Sequence, residues 1–208
     1  IPFEKWHDFL FVSLNPLAPF ERFIAETRAT TSEFDFESLE LVSTKDYFIK
    51  AHWALYCENY LEGFHIPFVH KSLNEVIDFG TYTTELFRCS SLQTGYDDRE
   101  KPAARYFFVF PNMMFNFYPW GVSVNIVKPI ESSFTKVEYW TFVSDESKLD
   151  EGAGKDLEVV EREDQAVVES VQKGINSRFY ERGRYSPTRE QGTHHFHQLI
   201  SEFMSVKE

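Results

Sequence analysis

Between Thr83 and Val143 the chain offers at least five segments rich in Phe, Tyr, Val and Ile: 83–94, 105–110, 113–118, 122–127 and 136–143. Turn residues separate them at Pro111-Asn112 and Pro119-Trp120-Gly121, and Ser132-Ser133 reads as a hairpin tip. Strands that follow one another without helices between them pair with their neighbours. They point to an antiparallel sheet in an α+β domain. The flanks supply the helices. Trp53 to His65 reads as helix and Lys71 to Val76 as a further helical turn. Asp156 to Tyr180 reads as a long helix, and Phe196, Leu199, Ile200 and Phe203 form the apolar stripe of a last one. Upstream, Phe9 to Leu14 and Leu39 to Lys50 read as strands and Pro19 to Glu26 as a short helix, while the polar stretch 144–155 reads as a loop. The 208 residues suit a single domain with a substantial core, and the 22 phenylalanines suit a wide apolar interior or pocket.

The crossing from Glu58 to His70 carries the chemistry. It has two imidazoles, His65 and His70, and a carboxylate, Glu62, three residues before the first. On an unbroken helix, residues five apart lie about 140° from one another and could not easily reach one ion. Pro67 is expected to end the helix near His65 and turn the chain, so that His70 comes back to the same point. Imidazole suits iron, zinc or copper, and Glu62, at helical i, i+3 spacing, could hold the non-ligating nitrogen of His65. Alone, such a pair is far more often the mark of capped or surface histidines than of metal ligands.

A third ligand comes from the long C-terminal helix. Leu157, Val160, Val167, Val168, Val171 and Ile175 recur at three and four, and their stripe is centred near Asp164. Glu158 and Glu163 are expected to point well away from it, with Glu161 nearer its edge. A carboxylate on an apolar stripe is costly unless paired or bound to metal. A salt-bridged Asp at a core boundary would satisfy that rule; with the two histidines, Asp164 would instead complete the two-His, one-carboxylate facial triad of ferrous oxygenases.

The wording of these segments is more specific than their spacing. His52-Trp53-Ala54-Leu55-Tyr56-Cys57-Glu58-Asn59-Tyr60-Leu61-Glu62-Gly63-Phe64-His65 with His70 resembles the catalytic-domain signature of the Rieske non-haem iron oxygenases. His52 stands where the family usually has Asn, Ala54 where it has Lys, and Phe64 where it has Tyr. Glu163-Asp164 and 169–174 resemble the family's last catalytic helix, 9–16 the segment after its Rieske module, and 110–121 its central sheet. The segments 183–187 and 194–197 resemble the tail of the carnitine, choline and betaine oxygenase branch. The resemblance implies a helix-grip fold of the START and Bet v 1 type, an antiparallel sheet with helices on one side. It implies ferrous iron on His65, His70 and Asp164, and Glu62 as the carboxylate bridging to a Rieske [2Fe-2S] cluster of a neighbouring subunit. Asn59 could sit close to the iron, or equally at the helix surface. Electrons would come from NAD(P)H through a reductase, dioxygen and a small organic substrate in an apolar pocket would be the reactants, and the complete protein would be a homotrimer. The products could be those of hydroxylation, dihydroxylation of a ring as in aromatic hydrocarbon catabolism, or demethylation. A non-catalytic domain carrying a hydrophobic ligand in the same grip is the reading from another class.

A Rieske cluster needs two Cys and two His, a pair on each of two loops. Cys57 and Cys89 are the chain's only cysteines, and neither is followed by His at the usual spacings. The chain is therefore expected to be a catalytic domain, 1–208, whose Rieske part precedes it or is encoded elsewhere. No residue is nominated for an organic cofactor. The net charge of −12 argues against nucleic acid and anionic membrane surfaces, and there is no apolar run of membrane-span length. Two isolated cysteines point to a reducing cytoplasm. His194, His195 and His197 read as surface and helix-end residues. Tyr106, Phe107, Phe115, Phe117, Tyr118 and Trp120 could line a pocket or cage a quaternary ammonium, or could be ordinary sheet core.

Overall fold

The computed structural model describes residues 1–16, 18–149 and 152–205. A hairpin of β1 (Phe3–Trp6) and β2 (Phe9–Val12) leads into α1 (Phe20–Thr30), then β3 (Glu40–Ile49). Three short helices follow: α2 (Trp53–Tyr60), α3 (Ile66–Val69) and α4 (Lys71–Asn74). Six strands run on without interruption: β4 (Asp78–Leu86), β5 (Ser90–Tyr96), β6 (Pro102–Val109), β7 (Met113–Tyr118), β8 (Gly121–Glu131) and β9 (Phe134–Val143). The long helix α5 (Leu157–Ile175) and the last helix α6 (Gln191–Ser205) complete the order.

All seven strands β3–β9 form one antiparallel sheet in the order β3-β9-β8-β7-β6-β5-β4. This topology fixes where the site must be. β3 and β4 lie at opposite edges, so the segment between them has to cross the whole sheet, and that segment carries His65 and His70.

Alternation along the central strands feeds two cores. Phe107, Phe115, Phe117, Val122 and Val124 pack with Trp6, Phe9, Ile24 and Phe36 on one face. Phe108, Met114, Val127 and Val137 pack with Cys57, Leu61, Val168, Phe196 and Leu199 on the other. Helices α2, α5 and α6 grip that second face. The first face is not open, as helices on one side alone would imply: the β1–β2 hairpin and α1 cover it, because both faces of these strands are apolar. Phe196 is wholly buried, with ring contacts to Trp53 and Phe108 at 5.7 and 5.6 Å; burial of such a ring is worth about 3 kcal/mol. Gly192 lets α6 sit on the end of α2, since a Cβ there would lie 2.5 Å from the Leu61 carbonyl oxygen.

Local boundaries differ from expectation: α1 runs on to Thr30 rather than ending at Glu26, and α5 ends at Ile175 rather than Tyr180. The 83–94 segment is a hairpin, not one strand: the chain reverses at Phe87–Cys89, with the Phe87 N–H bonded to the Ser90 carbonyl at 2.9 Å. No Gly, Pro or Asn marks that turn, so it carried no local signal. β1 pairs with β2 although its four residues are too short to show a pattern. Helix α2 stops at Tyr60 rather than His65. The break falls around Gly63, where a Cβ would come 2.7 Å from the Tyr82 ring. Pro67 begins a helix instead of ending one: it sits in the first turn of α3, where its missing N–H costs nothing. The 144–155 segment is irregular with two 3-10 turns, Glu146–Lys148 and Gly152–Gly154; Asp150 and Glu151 lie outside the described residues.

Candidate metal centre

His65 caps the N-terminal end of α3, and His70 is the residue between α3 and α4, with φ −102° and ψ 82°. That non-helical residue turns the imidazole inward. Asp164 arrives from α5, which is docked across the β3–α2 turn by Glu169 and Gln172 accepting the Lys50 and His52 backbone N–H groups at 2.9 and 2.8 Å. The three side chains converge. His65 Nε2 lies 3.1 Å from His70 Nε2 and 3.5 Å from Asp164 Oδ1, and His70 Nε2 lies 3.0 Å from Asp164 Oδ1. Ligands about 2.1 Å from one ion and at right angles to each other stand about 3 Å apart, the spacing of a facial triad. Among the described residues no other His, Cys, Asp or Glu group converges in this way. His194, His195 and His197 do not: His197 bonds Glu58 at 2.9 Å and the Tyr185 hydroxyl at 2.5 Å.

The outer nitrogens decide what the inner ones can do. Glu62 Oε1 lies 2.6 Å from Nδ1 of His65, and Glu163 Oε2 lies 2.8 Å from Nδ1 of His70. Carboxylates accept, so each Nδ1 donates its proton outward, and a cation that displaces the proton on Nε2 would meet a lone pair there. Two lone pairs and a carboxylate oxygen facing one point are a donor set for a cation. The contact to Glu163 corrects the sequence expectation that this residue points well away. Its Cα–Cβ bond does leave the buried stripe, but the long side chain reaches back to His70. Asn59 does not lie free on the helix surface; its Nδ2 donates to Asp164 Oδ1 at 2.6 Å and holds that carboxylate in place.

Behind these residues lies a cavity of about 90 Å³. Its wall is not simply apolar. Tyr56, Tyr60, Tyr82, Tyr106, Tyr118 and Tyr139 line it, and Asn116, Ser123 and Asn125 project from the sheet floor. Alternation divides the aromatic cluster foreseen from sequence: Tyr106 and Tyr118 face the cavity, whereas Phe107, Phe115 and Phe117 belong to the opposite core. Burial pushes the phenols of Tyr56, Tyr60, Tyr82, Tyr118 and Tyr139 well up, so they stay neutral. Glu161, placed near the edge of the stripe by sequence, is in fact 1% exposed and receives hydroxyls from Tyr56, at 2.6 Å, and from Tyr139. Leu157 and Val160 also line the cavity, while Val171 of the expected stripe is 44% exposed.

The charges of the metal-free protein set a pH dependence. Burial works against a charged His65, but hydrogen bonds to Asp164 and Glu62 outweigh it and hold the imidazole at about 9. Burial likewise works against charge on Asp164, and the two histidines overcome it, to about 2. Burial lifts Glu161 to about 7, against its tyrosine donors. A raised His contributes stability fully below its ordinary 6.5, lost as pH rises through 9. A depressed Asp contributes above 3.8, lost as pH falls through 2. A raised Glu costs stability as pH climbs from 4.5 to 7. Melting temperatures of the metal-free protein should therefore be highest near pH 4–5 and fall through pH 9. A melting temperature that rises from pH 5 to 9 would contradict this charge arrangement.

Comparison with known proteins shows the family and the fold. The family of ring hydroxylating alpha subunits (catalytic domain) matches residues 81–206, a span that includes Asp164 and leaves the two histidines upstream. The chain is 37% identical over 177 residues to chloroplastic choline monooxygenase of Arabidopsis thaliana, covering 78% of this chain and 42% of that protein. It is 26% identical to the carnitine monooxygenase oxygenase subunit of Escherichia coli K12, covering 96% of this chain and 60% of that protein. The chain thus spans about two fifths to three fifths of the length of these relatives. In fold it superposes on a quaternary ammonium Rieske monooxygenase with a TM-score of 0.82 at 22% identity, over 97% of this chain and 61% of that one. On naphthalene 1,2-dioxygenase the TM-score is 0.75 at 15% identity, over 99% and 64% of the two chains. The sheet, the crossing helices and the shared sequence make the chain a member of the Rieske oxygenase catalytic domains, the ring-hydroxylating alpha-subunit family, on its choline and carnitine monooxygenase branch.

Proposed function

We propose that the chain is the oxygenase domain of a mononuclear non-haem iron monooxygenase acting on a small quaternary ammonium compound. The convergence of His65 Nε2, His70 Nε2 and Asp164 Oδ1, with both Nδ1 atoms locked by carboxylates, carries the reading. Ferrous iron held there would supply dioxygen activation, with two electrons and two protons completing the insertion of one oxygen atom into a C–H bond and the release of water. The chain's own residues do the rest. Glu62 and Glu163 fix the imidazole tautomers, Asn59 fixes Asp164, and the phenols surround the substrate and keep bulk water out. Glu62, with its side chain 12% exposed, sits where a donor cluster could approach His65 from outside.

Relatives named for choline and carnitine favour monooxygenation beside nitrogen over dihydroxylation of aromatic hydrocarbons. An aromatic wall with carboxylates and, among the described residues, no Lys or Arg suits a cationic substrate. The complete protein, by this reading, places a Rieske domain ahead of this one. A neighbouring subunit of a homotrimer supplies the cluster, and a reductase supplies NAD(P)H electrons. Cys57 and Cys89 are both buried and free, which suits a reducing compartment, and no helix among the described residues is long and apolar enough to cross a membrane.

Anaerobic ferrous reconstitution tests the reading: about one iron per chain is expected. Retention of less than about a tenth would leave a ligand-carrying grip domain in its place.

A further inference from the structure

We infer that Glu161 is the anionic wall of the cavity, pairing with the substrate's cationic head so that charge, and not shape alone, selects what enters. The inference rests on the oxygenase reading above and names the residue that would give it selectivity.

Glu161 lines the same cavity as the three converging ligands and is almost wholly buried. Its Oε2 receives the Tyr56 hydroxyl at 2.6 Å and the Tyr139 hydroxyl, and its Oε1 receives Gln165 Nε2 at 3.2 Å. Every one of these donors is neutral. A buried carboxylate without a counter-charge is expensive, and proteins retain one where something else supplies the charge. Among the described residues the lining holds no Lys or Arg. With a divalent ion in place, Asp164, Glu62, Glu163 and an ionised Glu161 bring four negative charges against two positive ones, and neutral imidazoles add none. The site stays net negative, and of the four only Glu161 has neither the ion nor an imidazole as its partner, so a monocation is favoured beside it. The carboxyl agrees: burial, helped by the nearby Asp164, lifts it to about 7 against its donors, poised between neutral and charged until a cation arrives. The tyrosine rings around it add a cation–π surface for an alkylated ammonium.

The plain structural account is a carboxylate tying Tyr56, Tyr139 and Gln165 together. The two accounts separate when charge is removed and shape is kept. Cobalt(II) in place of iron allows binding to be followed without turnover, by calorimetry and by the cobalt absorption bands. The probes are choline and its uncharged carbon isostere, 3,3-dimethylbutan-1-ol. Wild-type protein should bind choline at least about tenfold tighter than the isostere. Glu161→Gln should weaken choline about tenfold and leave the isostere unchanged, abolishing the discrimination. Glu161→Asp, with its charge withdrawn by one methylene, should lie between, and it takes over the test if Glu161→Gln loses its thermal transition. Equal weakening of both ligands in the variants, or no discrimination by wild type, overturns the inference. Cobalt stoichiometry is read in the same titrations: failure to bind cobalt sinks the oxygenase reading, whereas normal cobalt binding with charge-blind ligand binding sinks only the role of Glu161.

Discussion

His65→Ala, His70→Ala and Asp164→Ala should each weaken ferrous binding by more than about 100-fold, because three protein ligands leave no redundancy. Glu163→Ala should weaken it by only about tenfold. This residue touches no metal position; it holds Nδ1 of His70 at 2.8 Å, and without it the ring can rotate or change tautomer. Asn59→Ala belongs with Glu163, since its 2.6 Å contact to Asp164 positions rather than ligates. Competition with a calibrated chelator under anaerobic conditions gives the series. Wild-type affinity in Asp164→Ala, or a loss in Glu163→Ala as large as in His70→Ala, would overturn the assignment of ligands. The graded order is a consequence of the structure. Helical direction alone points Glu163 away from Asp164; its contact with His70 comes from the tertiary fold.

Glu62→Gln should separate metal binding from electron delivery. The amide oxygen can still accept the Nδ1–H of His65, so iron should stay bound. The negative charge at the outer end of that hydrogen bond is lost, however, and with it the carboxylate that, on the proposed reading, would bridge to the donor cluster. Turnover with an intact Rieske donor should fall by about 100-fold. Steady-state oxygen consumption with the complete electron chain measures it. Wild-type turnover in this variant would remove Glu62 from the electron path and shift attention to Glu163, the other carboxylate–imidazole pair, whose side chain is 35% exposed.

The kind of domain and the residues to watch were legible from local pattern. Alternating apolar strands in an unbroken run leave an antiparallel sheet as the way to bury both faces, and the sheet of seven strands follows that logic. A carboxylate on an apolar helical stripe singled out Asp164, and the wording around Glu58–His70 singled out the histidines; the fold brings all three ligand atoms to one point. These signals are local: they depend on period, turn residues and near neighbours in the chain. Partnerships across long separations were not legible in this way and come from the packed fold. Glu163 meets His70 from 93 residues away, and Glu161 meets Tyr56 from 105. Helical periodicity gives the direction of a Cα–Cβ bond, but a glutamate with three further torsions can bend back across the face it starts from. The placement of the candidate metal site followed the same rule. Nothing in the 50–78 segment says that it spans the sheet; that follows only from β3 and β4 taking opposite edges, a choice made by the packing of the whole sheet rather than by any residue within the crossing.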